Sequence, residues 1–291
     1  MSMKLVVGYD GSPAANAAIG AGALLFPGAH SFITHVWVPP FASDRIRRRL
    51  RAQARNLEEF MELVEQEGQR EAQRIAATGV TLARAAGWNA EPLVKQTFGA
   101  EGVAITRAAD DVHADAVLVG TRGLGGTQAL LGSVSDMVVH YCGRPVAVIP
   151  HPMLGSEYDA LSDGPVVIGW DGSSGAAAAA AAAARFFPRR DMVLVSVDDG
   201  AASPPAAPAQ IQDRIMGHLN IQPTLAFRSR GIADALIGAA SDSNAAAVVV
   251  GSRGQSPVRE ILLGSVAMGT LHRSHRPIVV VPSEWAVAAP A

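Results

Sequence analysis

Two short segments of this chain combine an acid with a tight turn. Val6-Val-Gly-Tyr-Asp-Gly-Ser12 is repeated 161 residues later as Val167-Ile-Gly-Trp-Asp-Gly-Ser173. Each is matched further on by a glycine-serine segment. The first is Val119-Gly-Thr-Arg-Gly123 with Gly132-Ser133-Val134, and the second is Val250-Gly-Ser-Arg-Gly254 with Gly264-Ser265-Val266. These types suit an anion that also carries hydroxyls. Gly120, Gly123, Gly125 and Gly126 let backbone N–H groups approach a phosphate closely. Gly132-Ser133 opens a helix whose free amides and dipole favour negative charge. Ser133 and Ser135 can donate hydroxyl hydrogen bonds, and Arg122 can pair with a phosphate. Asp10, in its turn with Gly11 and Ser12, can accept from ribose hydroxyls or from an adenine amine. A main-chain group near Val36 or Trp37 can read the base edge. The second set is Asp171, Gly172, Ser173, Val197, Gly251, Arg253, Gly254, Gly264, Ser265 and Val266. A glycine-rich loop alone also serves as a strand-to-helix turn that binds nothing. Its pairing with a strand-end Asp, found twice, favours a nucleotide.

The elements that must position these residues follow from the same repeat. A length of 291 residues allows one large domain or two ordinary ones, and the repeat favours two. The register holds through Phe26-Pro27 and Phe187-Pro188. It returns at new offsets for Glu91-Pro92 against Gln222-Pro223, and for Arg144 to Pro150 against Arg276 to Pro282. This sets a first domain at 1–150, a linker at 151–164 and a second domain at 165–291.

Short apolar runs closed by turn residues read as buried parallel strands. In the first half they are Leu5–Gly8, Phe32–Val38, Pro92–Gln96, Ala116–Gly120 and Val146–Pro150. Helices are expected at Pro13–Leu25, capped by Ser12, at Glu101–Ala114 and at Ser133–Tyr141. The second half repeats the strands as Val166–Gly169, Met192–Val197, Thr224–Phe227, Ala247–Gly251 and Ile278–Pro282. Its helices are Ala176–Phe187, Ile232–Ser241 and Ser265–His272. The fold class is therefore α/β, with two tandem doubly wound, five-stranded parallel sheets. With strand order 3-2-1-4-5, strands one and four are neighbours, and each Asp faces the glycine loop of its own repeat. The nine alanines Ala176 to Ala184 let a helix lie close to a sheet and are read as packing.

One segment has no counterpart. Ser43 to Ala86 reads as one long helix or two joined ones, opening with Arg45, Arg47, Arg48, Arg49, Arg51 and Arg55. Glu58, Glu59, Glu62, Glu65 and Glu67 follow. Ile46, Leu50, Leu57, Met61 and Val64 supply an apolar stripe at helical spacing. Cations at the start oppose the helix dipole, so tertiary contacts or a partner must hold that end. The plain reading is a solvated charged face; the sharper one is an arm that binds a protein partner or covers phosphate.

Composition narrows the class. A formal charge of −2 provides no global field for nucleic acid. A single cysteine, Cys142, argues against a disulfide framework and suits the cytoplasm. No long apolar stretch follows Met1, and no run is long enough to span a bilayer, so neither a signal peptide nor a membrane partner is expected. There is no Gly-Lys-Ser/Thr after a glycine loop and no Gly-x-Ser-x-Gly elbow. His272 and His275 lack further ligands for a metal.

Taken together, these segments resemble the universal stress protein family over almost the whole chain, as a tandem pair. The ATP-binding branch of that family carries Gly-x2-Gly-x9-Gly-Ser/Thr after strand four. Gly251-Ser-Arg-Gly254, nine residues and Gly264-Ser265 match it fully, whereas Gly120-Thr-Arg-Gly123 is followed by only eight before Gly132-Ser133. The resemblance implies a Rossmann-like fold and ATP, together with Mg2+, as ligand. Asp10 or Asp171 would lie near ribose and adenine, with the glycine-serine segments at the phosphates. It implies a regulatory stress-response role, with a nucleotide-free scaffold or a slow ATP hydrolase as alternatives. Fifth strands commonly pair across a dimer in this family. Val146–Pro150 and Ile278–Pro282 are therefore expected to pair within the chain as an internal pseudo-dimer, the whole being a monomer or homodimer.

Overall fold

The valine, isoleucine and alanine runs form strands with both faces buried, and they stack into one sheet. The protein is described by a computed structural model covering residues 2–39, 44–121, 131–197, 206–221, 228–254 and 263–285. The strands of repeat 1 are β1 (Lys4–Gly8), β2 (His30–Trp37), β3 (Asn89–Gln96), β4 (Ala116–Gly120) and β5 (Val146–Ile149). Those of repeat 2 are β6 (Val166–Gly169), β7 (Met192–Val197), β8 (Ile215–Ile221), β9 (Ala247–Gly251) and β10 (Ile278–Val281). The ten strands run in the order β3-β2-β1-β4-β5-β10-β9-β6-β7-β8. Within each half the pairing is parallel in the order 3-2-1-4-5, and the β5–β10 junction is antiparallel.

That junction is two-fold symmetric down to the residue. Ala147 pairs with Val279, its own repeat counterpart, while Val146 pairs with Val280 and Val148 with Ile278. The paired fifth strands thus have no free edge between the halves, as expected of an internal pseudo-dimer. Phe26 and Phe187, also repeat counterparts, stack across the same axis with ring centroids 5.5 Å apart. Arg185 forms an ion pair with Asp115 of the other half.

Helices cover both faces. The first core layer contains residues of α1 (Pro13–Leu25), α3 (Leu57–Ala85) and α7 (Ser174–Phe186). The opposite layer contains residues of α4 (Glu101–Asp111), α5 (Ser133–Tyr141), α8 (Arg228–Asp242) and α9 (Ser265–Arg273). The remaining helices are α2 (Asp44–Gln53) and the short α6 (Gly155–Asp159). The expected caps form: Ser12 Oγ accepts from the Ala15 N–H at 3.2 Å and Ser173 Oγ from the Ala176 N–H at 3.1 Å. The segment joining the halves is packed, with Leu161 fully buried. The Arg190 guanidinium donates to the Leu161 and Gly164 carbonyls, at 2.5 and 3.0 Å.

Three expectations change. The expected strand Thr224–Phe227 lies outside the described residues, and the place beside β7 is taken by Ile215–Ile221. Strand three of repeat 1 begins at Asn89, before Pro92. It pairs only with β2 in the sheet, so the missing proline N–H faces away from the ladder. In the helical arm, which is two helices, only Val64 of the five expected stripe residues is buried. Leu57 and Met61 are 68% and 52% exposed. The stripe that packs is instead made of small residues, Gly68, Ala72, Ala76, Gly79 and Ala83 with Val64 and Val80. A helix packed tightly on a sheet selects volume as well as polarity.

Candidate functional site

Repeat 2 shows how the strand-one acid meets the strand-four glycines. After β6, Asp171 Oδ1 accepts the Ser173 N–H at 2.9 Å, closing a turn that Gly172 completes at φ 73°. Only a residue without Cβ takes that conformation at no cost. The turn holds the acid at the carboxyl end of its strand. On the neighbouring strand β9, a Cβ at Gly251 would lie 2.5 Å from the Gly175 carbonyl carbon, so this glycine lets the strand end pass under the start of α7. A Cβ at Gly254 would stand 2.8 Å from Asp171 Oδ2. The acid and the glycine segment, 83 residues apart in sequence, are thus in contact range. The part-buried Arg253 lies between these two glycines, its carbonyl against Gly175. The far end of the loop returns through Gly264, whose N–H donates to the Ser252 carbonyl at 2.7 Å. Gly264 then caps α9 with no side chain of its own. Ser265 is exposed in the first turn and Val266 is half-buried, so first-turn amides are presented at the mouth.

Repeat 1 builds the same frame with different fastenings. Asp10 Oδ1 accepts the Ser12 N–H at 2.9 Å, with Gly11 at φ 80°. A Cβ at Gly120 would lie 2.8 Å from the Ala14 carbonyl oxygen, the repeat counterpart of the Gly251–Gly175 approach. Gly132 caps α5, with Ser133 exposed and Val134 half-buried at its start. Ser135 changes role. Its hydroxyl, 9% exposed, donates to the Gly120 carbonyl at 2.8 Å. The expected phosphate donor is therefore committed to fastening helix to strand, because a buried hydroxyl must spend its hydrogen on the nearest acceptor. Its counterpart in repeat 2 is Ala267. Arg122 and Gly123 lie outside the described residues, as do Gly125 and Gly126.

The positions expected to read a base edge lie near the ends of β2 and β7. Thr34 O accepts the Tyr9 N–H at 2.9 Å, and Trp37 O accepts the Thr97 N–H on the other side. Backbone groups alternate sides along a strand, so Val36 points the way Thr34 does, past the end of β1 and over the crevice. Val195 O accepts the Trp170 N–H at 2.9 Å, which gives Val197 the same direction in repeat 2.

Some neighbours of the site are not evident from motif reading. Tyr9 donates its hydroxyl to Asn16 Oδ1 at 2.7 Å, and His35 Nδ1 lies 2.8 Å from the Tyr9 carbonyl. Burial, helped by the Asp10 charge, raises the Tyr9 phenol above its ordinary pKa, so it stays neutral. Ile75 of α3 comes within 3.8 Å of a Cβ built on Gly11, which makes α3 a wall beside the Asp10 turn. One turn earlier, Glu71 pairs with Arg74 at 2.5 Å, and this hydrogen bond lowers the Glu71 pKa.

Two open clefts lie elsewhere. One of about 290 Å³ sits at the junction of the halves, beside Asp115, Arg185 and Trp285. Another of about 410 Å³ lies between the end of β3 and α4, beside Lys95 and Arg107. Neither is lined by Asp10 or Asp171. The acids stand instead at the carboxyl ends of the strands, where ligands bind in open α/β sheets. Among the described residues no cluster of metal-ligating side chains occurs, and no helix is long and apolar enough to cross a membrane.

Residues 1–150 and 164–282 each match the Universal stress protein family. The chain belongs to that family. It is a tandem universal stress protein, with two such units joined through their fifth strands. Universal stress protein Rv2005c of Mycobacterium tuberculosis is 30% identical over 230 residues, covering 72% of this chain and 76% of that protein. Universal stress protein Rv1996 of the same organism is 29% identical and spans 99% of this chain and 98% of its own. A universal stress protein of Archaeoglobus fulgidus superposes with a TM-score of 0.66, at 20% identity, over 96% of this chain and 98% of that one. At that identity the likeness speaks for the fold.

Proposed function

We propose that this universal stress protein binds ATP, with Mg2+, at the carboxyl ends of its strands and acts as a nucleotide-dependent regulator in the cytoplasm. The approach of Gly254 to Asp171 Oδ2 supports the reading most, because it joins the full glycine-serine motif to a hydrogen-bonding acid in one crevice. In repeat 2 the nucleotide would meet Asp171 and the Val197 main chain at the nucleoside. Gly251, Arg253, Gly254 and the start of α9 at Gly264, Ser265 and Val266 would meet the phosphates. Repeat 1 would use Asp10, Val36, Gly120, Arg122, Gly123, Gly132 and Ser133. With one loop residue fewer between Gly123 and Gly132 than between Gly254 and Gly264, repeat 1 binds more weakly. One lost phosphate contact, at about 1–3 kcal/mol, lowers affinity about tenfold or more.

Thermal melting with and without Mg-ATP tests this. Ligand at about 100 times its Kd adds about 2.7 kcal/mol to folding stability. A melting point that ignores Mg-ATP would leave the nucleotide-free scaffold as the function. Counting nucleotide released per chain from freshly purified protein tells one working site from two. Steady turnover lost on changing Asp10 or Asp171 would mark a slow hydrolase instead.

A further inference from the structure

Residues of α3 before Glu65 project beyond the sheet. Gln96, at the end of β3, donates to Glu65 at 3.2 Å. The helix runs about 43 Å against about 26 Å for the strand beneath it. Its buried stripe runs on past Val64 as Met61 and Leu57, which are 52% and 68% exposed. On this projecting end leans α2, whose ten residues carry five arginines and one aspartate and include no buried position. Arg45, Arg48 and Arg49 form one exposed stripe of α2, and Glu58, Glu62 and Glu65 form one exposed stripe of α3. Among the described residues, no carboxylate pairs with these three arginines, and no cation pairs with these three glutamates.

We infer that this arm is a self-complementary interface through which two copies of the chain associate. A basic block followed at once by an acidic block, turned by a two-fold axis, sets the arginines of one copy on the glutamates of the other, and the reverse. The same turn brings Leu57 and Met61 of both copies into the seam. A uniformly anionic partner, such as a lipid headgroup surface, fits less well, because Glu58 and Glu62 would face it beside the arginines. Repeat 2 has no such arm, so each chain carries one copy of the interface. Association therefore closes as a dimer rather than extending as a filament. The fifth strands, consumed in the β5–β10 junction, are not available for that purpose. A helix pair of this size lies at the small, transient end of protein interfaces.

Sedimentation velocity on the full chain tests the inference without reference to nucleotide. The expected result is a dimer at about 0.1 M salt that falls to monomer near 1 M, as the Debye length shrinks from about 10 to about 3 Å. Arg48→Glu with Arg49→Glu is expected to be monomeric at low salt, as is Glu58→Arg with Glu62→Arg, each still folded and melting cooperatively, the second slightly earlier because Glu58 stands in the first turn of α3. An equimolar mixture of the two variants is expected to restore the dimer, because their charges are again complementary. A wild-type chain that stays monomeric at low salt overturns the inference. So does a mixture that fails to pair, or a monomer that instead binds phosphatidylserine vesicles.

Discussion

Gly251 and Gly254 stand three residues apart, and a methyl group added to each should do different things. At Gly251 it would meet backbone of α7 at 2.5 Å, which cannot move without the helix. Gly251→Ala is expected to cost about 1–3 kcal/mol in denaturant unfolding. At exposed Gly254 it would meet the Asp171 carboxylate, which can rotate at the cost of its bond to Ser173. Gly254→Ala should leave unfolding nearly unchanged and weaken nucleotide binding about tenfold or more by calorimetry. Cys142 adds a test of burial. The thiol is 7% exposed, and desolvation lifts its pKa from 9.0 to about 11. Because the folded value is raised, the protonated thiol favours the native state fully below pH 9, and that contribution is lost as pH rises through about 11. The expected loss is on the order of 2–3 kcal/mol in urea unfolding followed from pH 8 upward, and it should be absent in Cys142→Ala. Alkylation at pH 8 should be slow until the protein opens.

At the scale of elements, α3 shows why propensity does not decide packing. Gly79 is the kind of helix-interior glycine that alanine usually improves by up to about 1 kcal/mol. Here an added Cβ would stand 2.6 Å from Ile33 and 2.7 Å from the Tyr9 ring. Gly79→Ala is therefore expected to be destabilising by about 1–3 kcal/mol and to loosen the α3 wall beside Asp10, read as a lower melting point. The position of α3 was legible in its charges and periodicity. The face it buries was not, because a stripe of Gly and Ala carries little hydrophobic signal, and the larger Leu57 and Met61 of the expected apolar stripe lie past the end of the sheet. Apolar runs and turn residues located most strands, but the third strand of repeat 2 was misplaced. Ile215–Ile221 contains Gly217, His218 and Asn220, and no apolar run announces it.

The whole molecule behaves as one folding unit if its halves are coupled across the axis. Phe26 and Phe187 give the measurable handle: each is nearly buried, and each stacks on the other. Phe26→Ala and Phe187→Ala should each cost about 3–5 kcal/mol. Since the rings touch, the double variant should cost less than the two together, with a coupling of about 0.5–3 kcal/mol. Purely additive costs would mean that the halves are stabilised independently.

The sequence alone determined the duplication, the parallel α/β class and the Asp-Gly-Ser turns, because these depend on local chemistry: buried apolar runs, a glycine at positive φ and a serine cap. Tertiary structure decided what distant residues do to one another. It set Gly254 against Asp171, committed the Ser135 hydroxyl to Gly120, leaned α3 on the Asp10 turn and joined Ala147 to Val279 on an axis. None of these is a property of a segment. Each arises where separate segments exclude water and must satisfy, or make room for, whatever lies opposite.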